Sequence, residues 1–217
     1  MKTFFYLLLM LVMSNVPIFS QAYTGRAWHD SIQTIPGKIQ CAFFDEGGQG
    51  ITYNDADAVN NGSGKLNPND GNYYNTFRMN EGVDISYTKT KEIDNNPYNI
   101  VEPLMNQLYV GWTTAGEWIN YTIEIKQAGT YQLSLMYTAN ADGKIALSLD
   151  GKDISGNLLV RSTYHFKEPI PWRQWHHWNK VENLATFVLP EGKHVLTLHT
   201  VENGNMNYDY LEFNRVN

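Results

Sequence analysis

The chain reads as an all-β fold, a β-sandwich of the jelly-roll type, and three observations predict it. Apolar residues recur at every second position through residues 119–149. Turn pairs containing glycine separate these runs. Hardly any stretch carries the 3.6-residue period of an amphipathic helix. Period two with one apolar face marks a half-buried strand, and closely spaced strands with antiparallel turns and no intervening helices pack as two face-to-face sheets.

Taken in order, Ile119, Tyr121, Ile123 and Ile125 alternate with Asn120, Thr122 and Glu124. Tyr131, Leu133, Leu135 and Tyr137 alternate with Gln132, Ser134 and Met136, and Ile145, Leu147 and Leu149 follow. Ala128-Gly129, Asp142-Gly143 and Asp150-Gly151 supply the turns between them. Residues 60–76 are rich in Gly, Asn, Asp, Ser and Pro and read as a surface loop. Residues 86–107 are polar, contain Pro97 and Pro103, and read as a second long loop. Loops of this length in compact domains are more often functional than idle. Residues 23–34 are expected to be a loosely ordered lead-in and 35–217 a single module, with no internal repeat and no second domain.

Residues 1–22 are expected to be a signal peptide. Lys2 gives the positive start, Phe4 to Val12 the short apolar run, and Ser20-Gln21-Ala22 the small-x-small cleavage site. Export to a bacterial periplasm or the exterior follows, with no lipid anchor and no membrane insertion. Without Lys2 the chain carries 15 basic and 22 acidic residues. That balance argues against nucleic acid and anionic membranes as partners. Acidic polysaccharides are disfavoured too, unless a local patch overrides the net charge. Cys41 is the sole cysteine, so no intrachain disulfide forms and the core alone must hold the fold. Asn61 and Asn120 stand in sequons by pattern, but neither is read as a modification site.

The C-terminal part carries the functional signal. Trp175-His176-His177-Trp178 precedes a strand, and Asn207-Tyr208-Asp209-Tyr210 closes the chain. An indole face can stack on the C–H face of a pyranose, and an amide can bond its hydroxyls.

Several blocks occur in a telling order. They are Ile35-Pro36-Gly37-Lys38-Ile39, the run from Gly47 to Asp55, Glu81-Gly82-Val83-Asp84-Ile85, the run from Val110 to Thr122, and Ala128-Gly129-Thr130-Tyr131. With the C-terminal blocks, they resemble a family 6 carbohydrate-binding module of the kind appended to bacterial glycoside hydrolases. The resemblance spans roughly residues 35–213. It implies a glycan site in loops at one end of the sheets, where a tyrosine and a tryptophan flank the sugar and a late asparagine bonds it. The matching residues are Tyr53, Asn207 and, in the loop, Trp175 with Trp178 as second choice. Pro169-Ile170-Pro171-Trp172 stands where relatives carry Thr-Gly-Gly, which leaves Trp172 free to line the site as well. Gln49 matches a position that touches ligand in relatives. The family also often holds calcium through two first-strand glutamates and a late aspartate. Here Gln40 and Ala42 occupy the carboxylate positions and only Asp209 remains, so the resemblance implies a vestigial site and no obligate cofactor.

Each candidate has a plainer reading. Trp118, at a strand start, reads as core. Trp178 divides evenly between core and platform. Tyr53 could be a packed rim tyrosine and Asn207 a turn cap. The histidines show no metal-ligand spacing. Asp45, Glu46, Asp55, Asp57, Glu81 and Asp84 read as solvated loop charge rather than the paired carboxylates of a glycosidase. Three functions stay open. The first is a noncatalytic glycan-binding protein that keeps polysaccharide near a partner glycoside hydrolase or a surface. The second is a small glycoside hydrolase or lyase. The third is a structural or interaction jelly roll that has lost sugar binding.

Overall fold

The computed structural model describes residues 22–89 and 93–216. The expected signal peptide, save Ala22, lies outside the described residues. Among the described residues thirteen strands, numbered in chain order, build two sheets that face each other as a jelly-roll sandwich.

The seven-stranded sheet runs β1 (Gln33–Ile35), β6 (Trp118–Ile125), β12 (Gly192–Glu202), β8 (Gly143–Leu149), β10 (Leu158–Val160). The short β3 (Tyr53–Asn54) also pairs with β6, and β9 (Lys152–Asp153) with β8. The six-stranded sheet runs β11 (Asn179–Leu189), β7 (Gly129–Ala139), β13 (Met206–Val216), β5 (Leu108–Thr113), β4 (Ile85–Tyr87), with β2 (Gly37–Gln40) beside the C-terminal half of β13. Every pairing is antiparallel except β1 on β6.

The alternation in the sequence becomes the core. Ile119, Tyr121, Ile123 and Ile125 of β6 face Leu133, Leu135 and Tyr137 of β7 across one continuous apolar cluster, joined by Ile145, Leu147 and Leu149 of β8. Trp118, expected in the core, is only half-buried.

Three other expectations are corrected. The 23–34 segment is paired rather than loose. Arg26 exchanges backbone bonds with Glu46 at 3.0 and 2.7 Å, and Gln33 and Thr34 belong to β1. The 60–76 stretch is folded, with a π-type turn at Gly62–Leu66 and a short helix at Tyr73–Thr76 whose Asn72 cap accepts from the Tyr74 N–H at 3.0 Å. A Cβ on Gly62 would lie 2.0 Å from the Ile85 carbonyl oxygen, so only glycine lets this turn approach β4. Finally, Asp45 and Asp84 are buried rather than solvated. Asp45 accepts from Tyr23 Oη (2.7 Å), Thr122 N–H (2.7 Å) and Thr122 Oγ1 (2.6 Å). Asp84 accepts from the Asn61 N–H.

The outer face of the six-stranded sheet carries a second, smaller core of Tyr109, Met136, Trp178 and Tyr210. On β5 the side chains of Leu108 and Val110 enter the main core while Tyr109 faces the other way, as a strand requires. The long segment between β4 and β5 covers this second core. Its Ile100 and Val101 N–H groups donate to the Trp178 carbonyl at 2.8 and 3.0 Å, and Trp178 N–H donates to Asn99 Oδ1 at 3.1 Å.

Candidate functional site

A groove of about 490 Å³ opens on this outer face. Ser86 of β4, Tyr109 and Trp112 of β5 and Asn207 of β13 come from the sheet. Leu66 and Asn67 come from the folded 60s turn, Lys89 and Ile93 from the segment after β4, and Trp172, Trp175 and His176 from the β10–β11 connection. A one-turn 3-10 helix, Pro171–Arg173, begins with proline and carries Trp172 at its exposed edge, where the indole is 56% accessible. Arg173 turns inward from it and pairs with buried Glu168 at 2.9 Å, fixing the turn that presents the two indoles. Trp175 is half-buried, edge-on to His176 with ring centroids 5.7 Å apart.

Asn207 is held rather than free. It is 1% exposed. Its Oδ1 accepts from the Trp112 N–H at 3.1 Å. Its Nδ2 donates to Thr138 Oγ1 at 2.9 Å and to His176 Nδ1 at 3.2 Å. With Nδ1 accepting, His176 carries its proton on Nε2 and donates to Asp94 Oδ1 at 2.7 Å. Burial alone would raise the Asp94 carboxyl, but hydrogen bonds from His176, the Lys89 N–H and Trp178 Nε1 hold it below the usual range. Gly111 makes room for the amide: a Cβ there would meet Asn207 Oδ1 at 2.9 Å. The side chain therefore has both donors committed and one acceptor lone pair left.

The sequence candidates divide. Trp175, Trp172 and Asn207 come together in the groove. Trp178 does not. It is 0% exposed, its Nε1 donates to Asp94 Oδ1 at 2.8 Å, and it has no free face on which a ring could stack. Tyr53 and Gln49 line a separate recess of about 280 Å³ with Asp55, Asp57 and Gly82. Tyr53 is 5% exposed, lies edge-on to Phe44, and its Oη accepts from the Gly82 N–H at 3.1 Å. The Gln49 amide donates to Asn54 Oδ1 (3.2 Å) and the Asp55 carbonyl (3.0 Å) and accepts from the Asp55 N–H (3.1 Å). Gly82 and Ser86 are four residues apart, so recess and groove flank one segment, but among the described residues they share no lining side chain. In the recess, burial together with the Glu117, Asp84 and Asp57 charges pushes the Asp55 carboxyl up to about 7.

Sequence reading missed Trp112, Lys89, Asn67 and Asp94. Trp112 lies inside the run from Val110 to Thr122 without being read as a site residue, and nothing in a linear pattern marks the other three, because the 60s turn and the segment after β4 meet only through the fold.

Asp209 occupies a β-bulge. Tyr208 opposes Tyr137 and Tyr210 opposes Met136, which leaves Asp209 as the extra residue between them. It is 1% exposed with Oδ1 unpartnered among the described residues, and burial pushes its carboxyl up to about 8. The Gln40 amide oxygen accepts from Gln107 Nε2 at 2.8 Å, and Cys41 is a buried thiol whose pKa burial raises further. One carboxylate, one engaged amide and a thiol do not fit calcium, which takes six or more oxygen ligands. Among the described residues no group of three His, Cys, Asp or Glu side chains could hold a metal ion.

Comparison with known proteins places the chain. The model of the carbohydrate binding module (family 6) matches residues 75–215. The chain belongs to this family. A family 6 module whose binding sub-sites were dissected by crystallography and calorimetry superposes with a TM-score of 0.50 at 14% identity, over 85% of this chain and 98% of its own. The module CsCBM6-3 from Clostridium stercorarium, solved with cellobiose, gives 0.52 at 13% identity, over 86% and 98%. Likeness at these identities establishes the fold of the module. No curated protein matches the chain. Among the described residues no helix is long and apolar enough to cross a membrane.

Proposed function

We propose that this family 6 module is an exported, noncatalytic glycan-binding protein whose ligand occupies the groove. Sugar rings stack on Trp172 and Trp175, and a hydroxyl donates to the remaining lone pair of Asn207 Oδ1. The groove carries the reading: three tryptophans, one of them more than half exposed, converge on a fixed amide in a cavity large enough for sugar rings. Trp112, half-buried beside them, completes the aromatic wall. Tyr53 and Gln49 would meet only a ligand long enough to span groove and recess. A glycoside hydrolase acting on the same polysaccharide is the partner such a module serves. Export rests on the N-terminal pattern and is checked by finding the processed protein outside the cytoplasm.

The test is retardation in native gels cast with polysaccharides, followed by calorimetry on the polymer that retards. Trp172→Ala and Trp175→Ala should each weaken binding by about 2 kcal/mol or more, since a central aromatic anchor typically costs that much. Unchanged affinity in both would remove the groove from the site. If no polysaccharide retards the protein, the structural jelly-roll reading replaces this one.

A second reading has one observation in its favour. A carboxyl near 7, as at Asp55, is what a general acid needs. Release of reducing sugar by the wild type, lost in Asp55→Asn, would make the recess catalytic. We expect no release.

A further inference from the structure

The groove's polar end carries a lysine with no ion-pair partner among the described residues. Lys89 Nζ donates to Ser86 Oγ at 3.1 Å and lies 4.4 Å from the Tyr87 ring centroid. Among the described residues no carboxylate oxygen lies within the 4.0 Å of an ion pair with it. Asp94 is the carboxylate that acts on it at longer range, and its oxygens are taken by Trp178 Nε1, His176 Nε2 and the Lys89 backbone N–H. Burial lowers the Lys89 ammonium below its ordinary pKa, and Asp94 only partly restores it. A half-desolvated ammonium that holds one hydroxyl and one ring face, with no ion pair among the described residues, is placed to receive an anion. Beside it, Asn67 is fully buried and donates to Ser86 Oγ at 3.3 Å, while its Oδ1 has no partner among the described residues. A buried acceptor left unmade in a native fold calls for an explanation, and here a ligand donor supplies one.

We infer that the groove's ligand is an acidic glycan, whose carboxylate or sulfate seats against Lys89 while a neighbouring sugar hydroxyl donates to Asn67 Oδ1. The inference rests on the groove being the glycan site and adds the class of sugar it takes. The chain's net charge of −6 opposes an anionic ligand at long range. At physiological salt, exposed charges more than about 8 Å away are largely screened, so the cation in contact decides. Charge-assisted hydrogen bonds are roughly twice as strong as neutral ones, and lysine acts as a point charge that accepts either anion. Trp172 and Trp175 supply stacking for any pyranose, and Lys89 supplies the selection.

The experiment compares retardation of the full chain by acidic and neutral polymers: polygalacturonate and alginate for carboxylate, κ-carrageenan for sulfate, xylan, mixed-linkage β-glucan and agarose as neutral polymers. The wild type should be retarded by a carboxylated or a sulfated polymer in preference to the neutral ones, the two acidic arms naming which anion. Lys89→Gln should lose that retardation tenfold or more, Lys89→Arg should keep most of it, and both should melt with the wild type. Binding to the acidic polymer should weaken as salt rises. Preference for a neutral polymer that is lost in Trp172→Ala but indifferent to Lys89→Gln would leave the groove standing and overturn the acidic ligand. Retardation by no polymer at all would overturn the groove reading and this inference with it.

Discussion

At the scale of single residues, burial decides which matches to a sequence pattern can act. Asn207 illustrates this. As a surface amide it would be dispensable for stability, but its three hydrogen bonds tie β13 to β5, to β7 and to the β10–β11 connection. Asn207→Ala should therefore lose glycan binding and also stability, by about 1–3 kcal/mol, because the Trp112 N–H and the His176 and Thr138 acceptors lose their partner inside the fold. Asn207→Asp keeps the acceptor for Trp112 but loses both donors, and should bind no better. Chemical denaturation beside calorimetry reads both quantities. A variant that loses binding at full stability would mean the network is not formed. Trp175 and Trp172 were legible from the sequence as groove residues because an aromatic cluster on a loop is a local signal. Trp178 divided evenly between core and platform in the sequence because a core tryptophan and a platform tryptophan three residues apart carry the same letters, and burial settles it as core. Asn67 was illegible because its partner, Ser86 Oγ, lies nineteen residues away and is joined to it only by tertiary folding, and Lys89 because a lone lysine in a polar stretch carries no pattern.

At the scale of elements, the strands were legible and the connections were not. β6, β7 and β8 follow directly from alternating side chains, since period two on a half-buried sheet leaves one face apolar. The 86–107 segment has no such period, yet it is built into the protein through Trp178. The indole closes the second core against Tyr109, with ring centroids 5.2 Å apart, and its backbone anchors residues 99–101. Trp178→Ala should cost about 3–5 kcal/mol, the range for truncating a buried tryptophan, and should release the segment that carries Ile93 into the groove. Trp172→Ala should leave the melting temperature within a degree or two, since exposed side chains contribute little. Thermal melts of the pair separate core from platform. Equal melting temperatures would overturn the division drawn between these two tryptophans. Arg78 does comparable work for the 60–84 stretch. It is buried, lies 3.4 Å over the Phe44 ring centroid, donates to the Phe44 and Asp45 carbonyls, and pairs with Glu81 at 2.8 Å. That explains how a loop so rich in glycine and asparagine keeps one shape.

For the whole molecule, the buried Asp209 carboxyl sets a pH dependence. Its folded pKa, near 8, is above the unfolded value of about 3.9, so folding favours the protonated acid. Its contribution is full below about pH 4 and is lost as pH rises through 8. His177, pushed by burial down to about 4, works in the opposite sense: its contribution is present above about pH 6.5 and lost as pH falls toward 4. The two overlap below pH 6.5, so the window in which His177 does not oppose Asp209 is pH 6.5–8. There the melting temperature of the wild type should fall with pH. Asp209→Asn, neutral throughout, should flatten that slope; the remainder belongs to Asp55 and Asp84, whose carboxyls burial also raises. Calcium supplies the complementary measurement. A cation at the bulge would bind the ionised carboxylate, depress its pKa and raise stability with the logarithm of its concentration. With an engaged Gln40 amide and the Cys41 thiol beside the bulge, and no group of three His, Cys, Asp or Glu side chains able to hold a metal ion among the described residues, melts at pH 8 in chelator and in millimolar calcium should overlay. A calcium-dependent rise that vanishes in Asp209→Asn would mean that backbone carbonyls rebuild a site around the bulge, and the Asp209 share of the falling limb above pH 6.5 would then vanish in calcium as well.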